Sequence, residues 1–292
     1  MALLRSWVLA ARPATLWAAV APVLVGSALA ARDDAFDWLI FTVVLFAALA
    51  IQVGVNFAND LADAARGADG AERIGPARAV ATGLLTAAQM KRGIVVAFGL
   101  AALAGVYLIS LAGWVVLVIG IVSIIAALGY TNGPVPYGYR GMGELFVFVF
   151  FGLVATVGTR YVFDRSTPAD AWVSGIVMGL LAAAILEANN IRDIDTDRTA
   201  GKRTLAVVLG RTTARRLFAA TVIGAFLVLA AGIAFGILPI GMSLAFLAAP
   251  FTVPLIRTAA TETAGPPLIR VLKGTARLQL AVAVGMSLGA LV

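Results

Sequence analysis

Two short stretches of this 292-residue chain gather amides, carboxylates and cations beside long apolar runs. The first reads Asn56-Phe57-Ala58-Asn59-Asp60-Leu61-Ala62-Asp63 and continues past Arg66 to Asp69. The second reads Asn189-Asn190-Ile191-Arg192-Asp193-Ile194-Asp195-Thr196-Asp197 and continues past Arg198 to Lys202 and Arg203. At helical spacing Asn56, Asn59, Asp60 and Asp63 share one face. Asn189, Asp193 and Asp197 do the same, while Asp195 points away. Carboxylates crowded together repel unless a cation or hydrogen-bond donors relieve them. Ionisable groups next to hydrocarbon are costly, so such clusters read as functional. Each stretch runs from amides through carboxylates to cations, then to a Gly (Gly83, Gly210) and a Thr placed to cap the next helix (Thr86, Thr212). That shared order predicts repeated helical units whose polar ends meet at one cavity.

The chemistry open to such a cavity is narrowed by what the chain lacks. It contains no cysteine and no histidine. Thiolate nucleophiles, cysteine metal sites, Ser-His triads and the usual general base are therefore excluded. A metal here must be held mainly by oxygen, which favours Mg²⁺, Mn²⁺ or Ca²⁺; Mg²⁺ usually binds through one or two carboxylates together with substrate phosphates. Lys202, Arg203, Arg73 and Arg78 are then available to neutralise the remaining phosphate oxygens. An apolar body beneath that site suits a substrate with a diphosphate head and a long hydrocarbon tail.

The elements that position these residues are membrane spans. Hydrophobic residues make up 61% of the chain and charged residues 13%, against about 25% charged in a soluble domain. Leu3, Leu4, Trp7, Val8 and Ala11 share the apolar face of a short interfacial helix flanked by Arg5 and Arg12. Spans are expected at 13–31, 38–58, 145–159, 171–190 and 275–292. The charge-free runs 93–139 and 217–256 are each long enough for two, breaking near Ser110–Trp114 and at Leu238-Pro239. The expected fold is all-α: one polytopic membrane domain over 1–292, with nine transmembrane helices around a cavity open to the cytoplasmic side.

Alternating the loops puts Arg32, Arg160 and Arg165 on one side and the other 19 of the 22 basic residues on the opposite side. The basic-rich side is cytoplasmic. The N-terminus then lies inside and the C-terminus outside, and the net charge of +7 needs no nucleic-acid partner. The remaining candidates are ambiguous at this level. Tyr130-Thr131-Asn132-Gly133-Pro134 reads as a turn with Tyr130 facing the cavity. Tyr137, Tyr139, Glu144 and Glu187 either line the cavity or mark helix ends.

These residues resemble the UbiA superfamily of intramembrane prenyltransferases. The resemblance runs through Ala11-Arg12-Pro13, Asn59-Asp60-x-x-Asp63 with Gly67-x-Asp69, and Arg73-x-Gly75-Pro76-x-Arg78. It continues with Tyr130-Thr131-x-Gly133-Pro134, Gly143-Glu144 and Phe148-x-Phe150-Phe151-Gly152. Its most specific part is Asn189-Asn190-x-Arg192-Asp193 through Gly201-Lys202-Arg203-Thr204-Leu205-Ala206. The resemblance is strongest to the branch that prenylates 1,4-dihydroxy-2-naphthoate in menaquinone synthesis. It implies two Mg²⁺ ions bridging a polyprenyl diphosphate, held by Asp60, Asp63 and Asp69 from the first motif and Asp193 and Asp197 from the second. Gly67 stands where the superfamily often has the third acid of the first motif, two positions before Asp69. The implied catalytic set is Asp60, Asp63, Asp193, Asp197 and Lys202. The implied substrate-binding set is Asn56, Asn59, Arg66, Arg73, Arg78, Tyr130, Tyr139, Asn189, Asn190 and Arg203. The implied reaction transfers the polyprenyl group to dihydroxynaphthoate in the cell membrane, with decarboxylation and diphosphate release. Another aromatic acceptor such as 4-hydroxybenzoate, or a secondary transporter of an anionic metabolite, remain the alternatives.

Overall fold

Helix length brings the two polar stretches out of the apolar layer. The second stretch closes a helix of 31 residues, Ala169–Thr199, and the first closes one of 28 residues, Trp38–Ala65. At 1.5 Å per residue these reach about 46 and 42 Å, against a hydrocarbon layer of about 30 Å. Their last turns therefore emerge into a polar setting while the backbone stays helical, which keeps each polar face in register.

The computed structural model describes residues 2–66, 78–132, 136–263 and 265–292. Among them all regular structure is helical, and the α-helices run α1 (Ala2–Ala11), α2 (Pro13–Arg32), α3 (Trp38–Ala65), α4 (Ala87–Ala112), α5 (Trp114–Gly129), α6 (Gly143–Val147), α7 (Ala155–Asp164), α8 (Ala169–Thr199), α9 (Leu205–Leu209), α10 (Arg211–Ala234), α11 (Thr252–Thr261) and α12 (Pro266–Ala290). A π-helical segment, Phe148–Val154, joins α6 to α7, and a 3-10 segment, Ile240–Phe251, leads into α11. Among the described residues seven helices are long and apolar enough to cross a membrane, so this is a multi-pass membrane protein.

The expected breaks fall where glycine and proline place them. Gly113, at φ 81°, separates α4 from α5, and the second break lies between Ala234 and Ile240. Helix α5 stops at Gly129, where the expected turn begins at Tyr130, and a 3-10 turn follows at Tyr137–Tyr139. The expected start of the last span needs correction. The last helix starts at Pro266 rather than near 275, so Arg270, Lys273 and Arg277 lie inside it on exposed positions.

The core is organised around α8, whose buried residues encircle the helix, as in a helix surrounded by others. Gly152 of the π segment presses onto it. A Cβ there would stand 2.4 Å from the Gly179 Cα and 2.6 Å from the Gly175 carbonyl oxygen. This is the small-residue contact that membrane helices use to approach backbone to backbone. At the end opposite the polar stretches, Arg160 is 2% exposed and pairs with Asp33 at 2.7 Å and with Asp164. Arg32 bonds Asp170, 4% exposed, at 2.7 Å. The pairs tie α2, α7 and α8 together away from the site.

Candidate active site

Beginning at the first stretch, the Asn56 amide donates to the Ala11 carbonyl at 2.9 Å and to Thr15 at 3.2 Å. This holds the α1–α2 junction, where Arg12 adopts a left-handed φ of 51°. A positive φ on arginine before proline is strained and persists where the surroundings enforce it. Asn59 accepts from the Thr131 hydroxyl at 2.9 Å. Asp60 turns away from its neighbours, and its two oxygens each accept at 3.0 Å from the backbone N–H groups of Ala79 and Val80. Asp63, one turn on, accepts from the Tyr139 hydroxyl at 2.6 Å, from Arg78 at 2.7 Å and from Lys202 at 3.0 Å.

The second stretch faces it. Asp193 accepts from Nε and Nη2 of the Arg192 guanidinium, and Nη2 also donates to Asn189 Oδ1 at 2.8 Å. Asp197 stands 4.0 Å from Lys202. Lys202 thus spans the gap between α3 and α8, with its ammonium 4.7 Å above the Tyr139 ring. Arg66 stacks on the same ring at 4.9 Å. Burial, followed by the charge of Asp63, raises the Tyr139 phenol above its ordinary range, so it stays a hydrogen-bond donor.

Both stretches line one cavity of about 400 Å³. Its polar end carries Arg12, Asn56, Asn59, Asp63, Arg78, Tyr130, Tyr139, Asn189, Asn190, Asp193, Asp197 and Lys202. From there it runs between apolar walls to Val23, Val44, Leu108 and Val162. One flank is aromatic: Phe146 and Phe150 line it, and Phe146 stacks on Tyr137 at 3.8 Å. Of the candidate residues, Asp60, Arg66 and Arg203 are not part of this lining. Asp60 anchors the turn that carries Arg78. Arg66 is exposed and donates to the Thr131 carbonyl. The Arg203 side chain is exposed, and its backbone N–H bonds the Tyr139 carbonyl at 3.0 Å instead. Asp69 and Arg73 lie outside the described residues. Asp195 points outward, 72% exposed and paired with Arg211 at 2.6 Å.

Sequence reasoning set Arg12 beside an interfacial helix and in the Ala11-Arg12-Pro13 match but gave it no place in the cavity, which it lines. It also missed Arg192, adjacent to the acid it neutralises. The donor set fits Mg²⁺, being oxygen-only, anionic and already balanced by protein cations where a metal–diphosphate would sit. Among the described residues no three carboxylates converge on one point. The site is therefore suited to an ion shared with a substrate phosphate rather than to a protein-only cage.

Fold and site together define a multi-pass membrane protein in which an acid- and cation-lined mouth opens onto an apolar channel. The UbiA prenyltransferase family matches residues 19–266, and the chain belongs to that family. It is 37% identical over 294 aligned positions to the 1,4-dihydroxy-2-naphthoate octaprenyltransferase of Escherichia coli K12, covering 97% of this chain and 96% of that one. It is 42% identical to the enzyme of the same description from Mycobacterium tuberculosis, over 75% of this chain and 74% of that one. Among solved structures, a UbiA homolog from Aeropyrum pernix matches with a TM-score of 0.69 at 17% identity, over 94% of this chain and 96% of that one. A UbiA homolog from Archaeoglobus fulgidus bound to GPP and Mg²⁺ matches with a TM-score of 0.69 at 12% identity, over 98% and 99% of the two chains.

Proposed function

We propose that the protein transfers a polyprenyl group from a polyprenyl diphosphate to 1,4-dihydroxy-2-naphthoate, releasing diphosphate and CO₂ and yielding demethylmenaquinol, the reduced form of demethylmenaquinone. The observation that carries this reading is the continuity of the cavity, from the paired carboxylates of α3 and α8 into an apolar channel. The acceptor follows the description of the relative that aligns along 97% of the chain.

Asp63, Asp193 and Asp197 hold the metal, with Asp60 and Asp69 completing the first motif; each Asp60 oxygen keeps a second lone pair. Two Mg²⁺ ions, when bound, neutralise charge on the leaving diphosphate as Lewis acids. Lys202 and Arg78 already sit against Asp63 and turn to the phosphate oxygens when these arrive. The allylic C–O bond breaks with its electron pair leaving on the diphosphate. The electron-rich ring bonds the allylic carbon, and loss of CO₂ returns an electron pair to the ring. The half-buried aromatic flank and the absence of histidine suit a reaction in which water is excluded and no strong base is needed.

In the membrane we infer nine crossings: the seven apolar helices together with Trp114–Gly129 and Pro266–Ala290. The site faces the cytoplasm, the N-terminus lies inside and the C-terminus outside. The asymmetric distribution of arginine and lysine supports this orientation.

The test is purified protein in detergent, where no gradient exists to drive transport, with a polyprenyl diphosphate, Mg²⁺ and a choice of acceptors read by mass spectrometry. The expected product is prenylated, decarboxylated naphthoquinol from dihydroxynaphthoate. Preference for 4-hydroxybenzoate would move the assignment to another acceptor, and absence of prenyl transfer to either acceptor would overturn it.

A further inference from the structure

Behind the cavity wall lie two buried acids that the proposed reaction does not use. Glu144, in the first turn of α6, is 8% exposed, and Glu187 of α8 is 5% exposed. Neither lines the main cavity. Both line a second, small cavity of about 10 Å³ together with Ile191, Leu205, Ala206 and Ala214. That volume is near the least that accommodates one water. The Glu144 Oε1 accepts the Asn190 amide Nδ2 at 2.8 Å. The Glu187 Oε1 accepts from the Thr221 hydroxyl at 2.9 Å, while its Oε2, buried beside the small cavity, has no hydrogen-bond partner.

Asn190 stands between the two spaces, lining the main cavity and bonded to Glu144 on its far side. An amide has a donor end and an acceptor end, whereas a carboxylate only accepts. A carboxylate at Nδ2 therefore fixes the amide in one of its two orientations, with Oδ1 turned away from Glu144. Asn190 lies three residues before Asp193, about 4.5 Å deeper along α8 at 1.5 Å per residue. That is one level below the diphosphate end of a cavity that Tyr130 and Phe146 also line.

We propose that Glu144 is a positioning residue for the aromatic acceptor: through its bond to Asn190 it presents the Asn190 carbonyl oxygen to a ring hydroxyl of the acceptor. Glu187 backs it across the small cavity, where one bridging water would satisfy the unpartnered Oε2. The inference rests on the proposed prenyl transfer and adds a specific polar contact for the acceptor, separate from the diphosphate machinery.

The experiment is steady-state kinetics with both substrates varied, on the wild type and on Glu144→Gln, Glu144→Leu and Glu144→Asp in detergent. Gln keeps an Oε1 that accepts from Asn190 at the same reach, with its Nε2 turned to the small cavity and the unpartnered Glu187 Oε2, so the orientation of Asn190 is kept and kcat/KM for the acceptor stays within about threefold of wild type. Leu leaves the Asn190 amide unheld, and the acceptor kcat/KM falls about ten- to a hundredfold, the range for a lost buried hydrogen bond. Asp keeps the charge but withdraws the oxygen by one methylene, so it falls in the same direction. In every variant the KM for the prenyl diphosphate stays within about twofold. If Leu does not fold, the Gln and Asp pair still decides. Equal losses in Gln and Asp, unchanged kinetics in all variants, or a loss that falls on the prenyl diphosphate instead would each overturn the inference. A wild type that prenylates no aromatic acceptor would show that the functional reading itself has failed.

Discussion

Replacing Asp63 by Asn tests the centre of the site. The Asp63 side chain is 3% exposed and accepts three hydrogen bonds, two from the cations Arg78 and Lys202 and one from Tyr139. Asparagine removes the charge and turns one oxygen into an NH₂ group that confronts a cationic N–H. Hydrogen bonds to charged groups contribute about 1.5–3 kcal/mol each, and breaking a buried ion pair costs about 3–5 kcal/mol. Lys202 retains Asp197 at 4.0 Å, so the lower end, about 3 kcal/mol, applies. If that loss falls on the transition state, kcat/KM drops by about two orders of magnitude, at 1.36 kcal/mol per decade. The assay pairs kcat/KM with the thermal unfolding midpoint in detergent, each with and without Mg²⁺ and prenyl diphosphate. Asp63→Asn should lose the ligand-dependent rise in midpoint as well as the rate. A variant within threefold of wild type in kcat/KM, with the ligand-induced rise intact, would refute the reasoning.

Three further outcomes are expected. Asp195→Ala removes an exposed pair with Arg211, costs under about 1 kcal/mol and leaves prenyl transfer near wild type, while Asp193→Ala and Asp197→Ala each lose at least about a hundredfold; equal losses in all three, measured by product formation, would contradict the helical-face argument. Arg160→Met removes the buried cation that Asp33 and Asp164 share at the far end of the bundle, so the unfolding midpoint falls, while activity per folded molecule is retained. Gly152→Ala drives a methyl group into the backbone of α8 at Gly179, and overpacking of this kind costs about 1–3 kcal/mol or more; a lower midpoint with an altered rate is expected, and an unchanged midpoint would show that the helices separate freely.

The faces of the two acidic stretches were legible because a helical period is enough to read them. Asp193, Asp197 and Asn189 do share the cavity, and Asp195 does point outward. The same reasoning grouped Asp60 with Asp63, yet a turn 19 residues later claims the Asp60 carboxylate. Helical spacing cannot anticipate such a partner. Lys202 and Arg203 were both expected at the site, one in the catalytic and one in the substrate-binding set, but Gly201 turns the chain at φ 72°, after which one side chain enters the site and the other faces outward. Charge-free runs located the helices well but misjudged the start of the last one, because α12 admits Arg270 and Lys273 into its first turns. The bond of Glu144 to Asn190 spans 46 residues, and nothing local announces it.

The central claim is that the acidic ends of α3 and α8 form a single metal–diphosphate site. It is tested most directly by Mn²⁺ titration followed by electron paramagnetic resonance, with and without an unreactive prenyl thiodiphosphate. Mn²⁺ shares the oxygen-rich octahedral preference of Mg²⁺. The wild type should bind Mn²⁺ tightly only when the diphosphate analogue is present. Asp63→Asn and Asp193→Asn should each abolish that dependent binding, and Asp195→Asn should preserve it. Analogue-dependent binding that survives either the Asp63 or the Asp193 substitution would contradict the account.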